Sequence, residues 1–257
     1  MILNYITGRL NTIFWKFLNE KQREAWLPIT EKILKGVLQE NKPKNIKKIA
    51  YNLLSQVGYN SSSQRTLYAL WSKKGKVKNL FLNENDYTSL AATLAIYNHA
   101  NTDAVLQNTL ESISNPDRKE RFEFLLPSLS NNENIRDDFL LSLANAEHRE
   151  KESWVATALY YMNHPLRQKS AEKHLRMSLD MVEEIQRTGD IFFPKAWLNA
   201  TIGNYTSEYA YVTLEQFLSD NPNFPMVLKN KLLQASDGVY RAKLIREKYN
   251  ESTERIK

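Results

Sequence analysis

Apolar residues recur three and four positions apart along most of the chain, which is the spacing of one face of an α-helix. The register becomes clear after Pro43, and the stripe ends before Gly58, a residue suited to ending a helix. The stripe is formed by Ile46, Ile49, Ala50, Leu53, Leu54 and Val57. The next segment places Ser61 and Gln64 at the spacing of a capping box and continues with an apolar face that includes Leu67. The two segments therefore predict a pair of helices packed against each other.

The same pattern recurs to the end of the chain and predicts about a dozen short helices. Asp86 is placed to open one of them and Thr102 or Asp103 another, and Pro116 opens a third at the first helical position, where its missing N–H costs nothing. Pro127 is expected to end or kink that helix. Gly189 follows a later stripe and is expected to end it in the left-handed conformation. The later stripes cover residues 135–143, 153–162, 166–187, 194–202, 207–218 and 225 onwards.

The chain lacks the alternating pattern of β-strands, and the short apolar run at residues 191–193 stops at Pro194. Landmark residues do not return at a fixed period, as they do in tetratricopeptide or ankyrin repeats. Helix pairs of this kind cannot bury their apolar stripes alone, so they stack on their neighbours. The sequence therefore predicts an all-α fold over residues 1–257, an α-α superhelix of stacked antiparallel helix pairs of the HEAT or armadillo kind. Its concave side would suit a ligand or partner.

Composition fits this fold. With 7 glycines and 8 prolines, the chain has few residues for the tight turns of a sandwich or barrel. Since no run approaches about 20 apolar residues, we expect no membrane span. The start shows no signal peptide, which leaves the compartment open. The net charge of +6 arises from basic residues spread among 29 acidic ones, so we expect no nucleic-acid partner. The alternative, nucleic-acid binding, predicts affinity that falls steeply with salt.

The sequence contains no motif typical of a catalytic or metal centre. The chain has no cysteine and 4 histidines, and no two histidines share the HExxH spacing that holds zinc on a helix. A nucleophile elbow of the G-x-S-x-G type and a glycine-rich phosphate loop are also missing from the sequence. We therefore expect this chain to hold no catalytic residue, no metal ligand and no cofactor of its own.

Three segments, in this order, carry a family resemblance. They are NPDRKERF at residues 115–122, ESWV at 152–155 with HPLR at 164–167, and EIQRTGDIFFPK at 184–195. Together they resemble the C-terminal helical domain of bacterial zinc metallopeptidases of the aminopeptidase N type. The resemblance continues through WLNAT at 197–201 and KLLQASD at 231–237. It covers residues 114–250 well, whereas residues 1–113 match in helical character alone.

The resemblance implies the place of this chain in a larger enzyme. Members of that family order a β-rich domain, a thermolysin-like domain with the HExxH zinc site, and then the helical domain. This chain would be the last of these, a non-catalytic domain that packs on the catalytic domain of the same polypeptide and lines its peptide chamber. The zinc and the hydrolytic release of N-terminal residues would belong to the parent enzyme, whose substrate is a peptide.

A helical wall can hold a peptide through charge-assisted hydrogen bonds to its carboxylate and carbonyl groups and through apolar contacts with aromatic side chains. The candidate peptide or interdomain contacts are Arg118, Arg121, Arg167, Arg187, Phe192, Phe193 and Lys195. For each of them, a salt bridge or core contact between adjacent helices is the competing interpretation. Asp190 is expected to play a structural role, as a helix cap or as a partner of Arg187. The alternative function is a free-standing HEAT-like scaffold that binds a protein or peptide segment.

Overall fold

A computed structural model of the chain describes residues 2–254, with side chains described at positions 2–245, 247 and 248. The described residues form helices joined by short connections, and they contain no β-strand, which confirms the all-α prediction. None of the helices in this range is long and apolar enough to cross a lipid bilayer. The α-helices are α1 (Ile2–Lys16), α2 (Glu20–Gln39), α3 (Lys44–Val57), α4 (Ser61–Trp71), α5 (Glu84–Ile96), α6 (Thr102–Ser112), α7 (Pro116–Leu129), α8 (Glu133–Ser142), α9 (Glu152–Met162), α10 (Gln168–Ala171), α11 (Leu175–Asp180), α12 (Val182–Thr188), α13 (Phe193–Thr201), α14 (Glu208–Asp220), α15 (Met226–Ala235) and α16 (Asp237–Glu254).

The chain divides into two compact units, the first ending at Glu123 and the second beginning at Phe124. In the first unit each helix packs mainly on helices close to it in the chain: α1 and α2 on α3, α4 on α5, and α5 on α6. Fully buried leucine and alanine side chains lie between these helices, among them Leu54, Leu67 and Leu90. Packing between chain neighbours is the behaviour of stacked helix pairs.

The second unit is built around α13. This helix packs against α9, α12 and α15, while α11 packs on α14 and α14 on α16. Trp197 of α13 is fully buried, and its indole Nε1 donates a hydrogen bond to the carbonyl of Ser178 at 2.8 Å. Tyr205, also fully buried, donates its hydroxyl proton to the side-chain oxygen of Asn163 at 2.7 Å. Each polar group of these two aromatic side chains is thus satisfied inside the core.

Asparagine side chains open several helices, one or more residues before the predicted starts. Asn60 accepts a hydrogen bond from the backbone N–H of Ser63, so it caps α4 in place of the predicted Ser61. Asn83 and Asp86 form a reciprocal capping box at the start of α5, where Asp86 was predicted to open the helix. Asparagine and aspartate accept the same backbone bond, so the sequence pattern alone does not separate them.

Two predicted boundaries differ from the structure. The stripe at residues 166–187 predicts one helix, whereas the chain forms α10, a 3-10 turn at Glu172–His174, α11 and α12. The buried residues Leu175, Leu179, Val182 and Ile185 keep helical spacing across the break between α11 and α12, which explains the single predicted element. Pro127 lies inside α7, which continues to Leu129.

Candidate functional site

Four of the seven sequence-predicted contact residues lie in one short stretch, residues 187–195, which joins α12 to α13 and is called here the corner. Asp190 organises it. Its side-chain Oδ1 accepts the backbone N–H of Phe192 at 2.9 Å, and its backbone carbonyl accepts the N–H of Phe193 at 2.9 Å. Its own N–H donates to the Oε1 atom of Glu152 at 2.7 Å. Asp190 therefore has a structural role, but in the turn before α13 and not as the predicted helix cap or partner of Arg187. Its N–H ties the corner to the start of α9.

Gly189 is required in the corner by space and not by a left-handed backbone. Its φ is −104° and its ψ is 175°, an extended conformation that any residue adopts, so the predicted left-handed cap is wrong. A Cβ atom at this position would lie 2.8 Å from the ring of Phe193 and 2.9 Å from the Oε1 atom of Glu152. The absence of a side chain lets the chain pass close to both groups.

The two phenylalanines of the corner have opposite environments. Phe193 is 3% exposed and packs edge to face against Trp197, with ring centroids 6.1 Å apart. Phe192 is 77% exposed. The preceding residue, Ile191, is 67% exposed. Phe193 therefore belongs to the core of the second unit, whereas Phe192 and Ile191 offer apolar surface to a partner or ligand.

Two exposed basic side chains accompany this apolar surface. Arg187 lies in the last turn of α12, and Lys195 lies in the first turn of α13, three residues after Phe192. Within residues 2–254 no hydrogen bond or ion pair engages either side chain. Lys231 of α15 also reaches the corner, because its Nζ donates to the carbonyl of Ile191 at 3.4 Å. The corner thus combines exposed apolar groups with cations able to hold a carboxylate or carbonyl oxygen.

Arg167 lies elsewhere in the second unit and is engaged by the protein itself. It is 8% exposed, and its guanidinium donates to the carbonyls of Ser128 at 2.7 Å and Leu129 at 3.1 Å. These carbonyls belong to the last residues of α7, which have no partner within the helix. Burial, with a smaller contribution from the positive charge of Arg136, lowers the pKa of Arg167 to about 9. The group remains protonated at neutral pH and caps the helix end.

Arg118 and Arg121 lie on α7 within the first unit. The Nη1 atom of Arg118 donates to the Oε1 atom of Glu84 at 2.9 Å, which is the salt bridge that the competing interpretation allowed. About half of the Arg118 side chain nevertheless remains exposed. Arg121 is exposed and has an interaction of its own. These two residues therefore form a group separate in sequence and in unit from the corner.

A cleft of about 420 Å³ in the first unit was not anticipated from the sequence. Trp71 and Tyr87 line it together with Glu84, and the indole Nε1 of Trp71 donates to the Oγ1 atom of Thr109 at 2.9 Å. The ammonium group of Lys73 lies 5.1 Å from the centre of the Tyr87 ring. These residues come from three helices and one turn, so no short motif in the sequence could have brought them together.

The described side chains show no grouped metal ligands, and the corner shows exposed groups. Among the described side chains, those of residues 2–245, 247 and 248, no three histidine, aspartate or glutamate groups are placed to hold a metal ion. The corner instead presents a hydrophobic side chain beside two cations, an arrangement that recognises apolar groups next to an oxygen anion. No protein-family model matches the chain, and no curated protein sequence matches it.

Proposed function

We propose that the chain is the non-catalytic C-terminal domain of a zinc aminopeptidase, packing on the catalytic domain and lining the chamber that admits peptides. The observation that carries this proposal is the ordered set of segments at residues 115–122, 152–167 and 184–195, which resemble that family. An all-α fold of neighbouring helix pairs is the architecture that the resemblance implies. The reaction of the parent enzyme is the hydrolytic release of N-terminal residues from peptides.

The placement of residues 184–195 supports a role of this segment in the wall of the peptide chamber. Within residues 184–195, Gly189, Asp190 and Phe193 are used to build the corner, while Phe192 and Lys195 are left exposed. A peptide passing this surface would pack an apolar side chain on Phe192 and direct a carbonyl or its terminal carboxylate towards Lys195. A hydrogen bond from the backbone N–H of Asp190 to Glu152 ties the corner to the start of α9.

The zinc of the proposed parent enzyme is assigned to the catalytic domain. In the described range no histidines and carboxylates are grouped as metal ligands, and the sequence has no HExxH motif. The proposal therefore assigns the zinc and the general base to the catalytic domain. The contribution of this chain is to shape which peptides reach that centre.

The complete reading frame that contains this chain provides the first test. We expect it to encode an HExxH-containing domain upstream and its product to release N-terminal residues in a zinc-dependent manner. A frame that lacks such a domain would favour the free-standing scaffold instead. Hydrolysis of aminoacyl amides by the purified chain, with one bound zinc, would contradict the non-catalytic assignment.

The second test addresses the wall. In the full enzyme, we expect Phe192→Ala combined with Lys195→Ala to raise KM for longer peptides by about threefold to tenfold with little change in kcat. Hydrolysis of an aminoacyl p-nitroanilide should be unchanged, because so small a substrate does not extend to the wall. Ile135→Ala, on an exposed residue of α8, serves as the control. An unchanged KM for every peptide length would exclude the corner as part of the chamber.

A further inference from the structure

The first helix carries an exposed apolar stripe that neither the fold nor the proposed function uses. Its members alternate spacings of three and four residues, which is the heptad spacing of a coiled-coil interface. Each member is 44–53% exposed. They are Leu3, Ile6, Leu10 and Ile13 of α1 and Phe17, the first residue of the turn that follows α1, and together they are called here the N-terminal seam.

The seam lies on a helix whose C-terminal end packs on α3. Phe14 and Trp15 of α1 are buried, and the indole Nε1 of Trp15 donates to the carbonyl of Gln56 in α3 at 2.9 Å. Between residues 2 and 10 no side chain is buried. A helix of a water-soluble unit normally has one apolar stripe, facing its core. Trp15 lies on the side of α1 opposite the seam, whereas Phe14, four residues after Leu10, is buried at the edge of the seam. The seam itself is left uncovered.

The spacing of the seam indicates the shape of its occupant. The four members within α1 span about 15 Å of helix at a rise of about 1.5 Å per residue. Side chains spaced in this way form ridges and holes that accept the knobs of another helix crossing at a shallow angle. An extended strand, whose side chains face one side every second residue, does not match this period. The occupant is therefore a helix with its own apolar stripe.

The charges beside the seam indicate the chemistry of that helix. Arg9 directly precedes Leu10 and so flanks the seam. The α1 sequence contains no acidic residue. A second copy of α1 would place further positive side chains along the same interface, which is unfavourable. Acidic residues beside the apolar stripe of the partner would complement these charges instead.

We propose that the N-terminal seam is a docking surface for an acidic amphipathic helix, one whose apolar residues repeat at heptad spacing and are flanked by glutamate or aspartate. The proposal goes beyond the peptidase assignment and does not depend on it. It concerns α1 in the first unit, whereas the corner belongs to the second unit.

Two designed peptides of about three heptads test the proposal against the purified chain. Both carry leucine at the heptad core positions, one with glutamate and the other with lysine at the flanking positions. We expect fluorescence anisotropy at low salt to show the acidic peptide binding at least about tenfold more tightly than the basic one. The preference should shrink as salt is added. Equal binding of the two peptides, or no binding of the acidic one, would overturn the proposal.

Matched isoleucine variants locate the site. Ile13 in the seam and Ile135 in α8 are each 45% exposed. We expect Ile13→Asp to weaken binding of the acidic peptide at least about tenfold and Ile135→Asp to leave it unchanged. Leu10→Asp provides a second seam variant should the first unfold, as judged by its melting curve. Equal loss of binding in the seam variants and in Ile135→Asp would rule out the seam as the site.

Reversing the charge of one residue tests whether the seam binds an acidic helix or a second copy of the chain. Arg9→Glu should weaken binding of the acidic peptide and strengthen binding of the basic one. Sedimentation velocity of the unmodified chain at micromolar concentration should show a monomer. A dimer that Leu10→Asp dissociates would show that the seam binds itself, and the proposal would then be wrong.

Discussion

The first two helices and the centre of the second unit show opposite uses of apolar residues. In α1 and α2 large apolar side chains face outward, including Ile6 and Trp26, whereas α13 is enclosed by α9, α12 and α15 and buries Trp197 completely. All three helices have the apolar spacing of a packed helix. An apolar stripe in the sequence thus predicts a helix and which of its faces is apolar. Whether that face is buried depends on how many helices pack around it.

The largest expected effect comes from a pair of tryptophans taken from these two regions. Trp197→Ala should lower the free energy of unfolding by about 3–5 kcal/mol, since it leaves a cavity in the core. It also removes the donor to the carbonyl of Ser178. Trp26→Ala should cost less than about 1 kcal/mol, because Trp26 is 57% exposed. Urea unfolding followed by circular dichroism measures both. Similar losses in the two variants would mean that Trp26 is covered, for example by self-association, and the comparison would fail.

The sequence predicted the fold class well, for a physical reason. Helical spacing, the start of α7 at Pro116 and the scarcity of glycine depend on local properties of the chain. The first two helices were harder, because their stripes lie on more than one side, so no single core-facing register stands out before Pro43. The break between α11 and α12 was missed because the apolar face continues through it.

The next largest expected change in the free energy of unfolding comes from replacing a buried arginine. Comparing it with an exposed arginine tests whether the buried charge stabilises the second unit. Arg167→Met should lower the free energy of unfolding by about 2 kcal/mol, because the carbonyls of Ser128 and Leu129 lose their charged donor. Arg187→Met, on the exposed corner, should change it by less than about 0.5 kcal/mol. Thermal or urea unfolding provides the measurement. A harmless Arg167→Met would show that water replaces the guanidinium and that the helix end is accessible.

The candidate site was predicted less completely than the fold. Arg187, Phe192 and Lys195 are exposed as a ligand contact requires, whereas Phe193 and Arg167 are buried. Adjacent phenylalanines cannot be separated by residue type, because only the turn at Asp190 decides which ring points inward. A buried arginine is equally hard to foresee, since its partners are backbone carbonyls about 40 residues earlier in the chain.

Replacing a glycine by alanine is expected to change the free energy of unfolding least, but with opposite signs in the two regions. The sign therefore distinguishes the regions clearly. Gly36 lies in α2, and a Cβ atom added there would meet no other group within 4 Å. Gly36→Ala should raise the free energy of unfolding by about 0.5–1 kcal/mol, because alanine loses less backbone freedom than glycine in a helix.

The same substitution at Gly189 should instead lower the free energy of unfolding by about 1–2 kcal/mol, since its Cβ would approach the Phe193 ring and the Glu152 carboxylate too closely. Its extended backbone adds no strain of its own, so the whole cost comes from packing in the corner. Differential scanning calorimetry of the two variants measures the sign directly. If Gly189→Ala also stabilised the chain, the corner would have to be loose enough to move away from α9. A rigid corner is what the proposed peptide wall requires, so this one sign tests the packing and the functional proposal together.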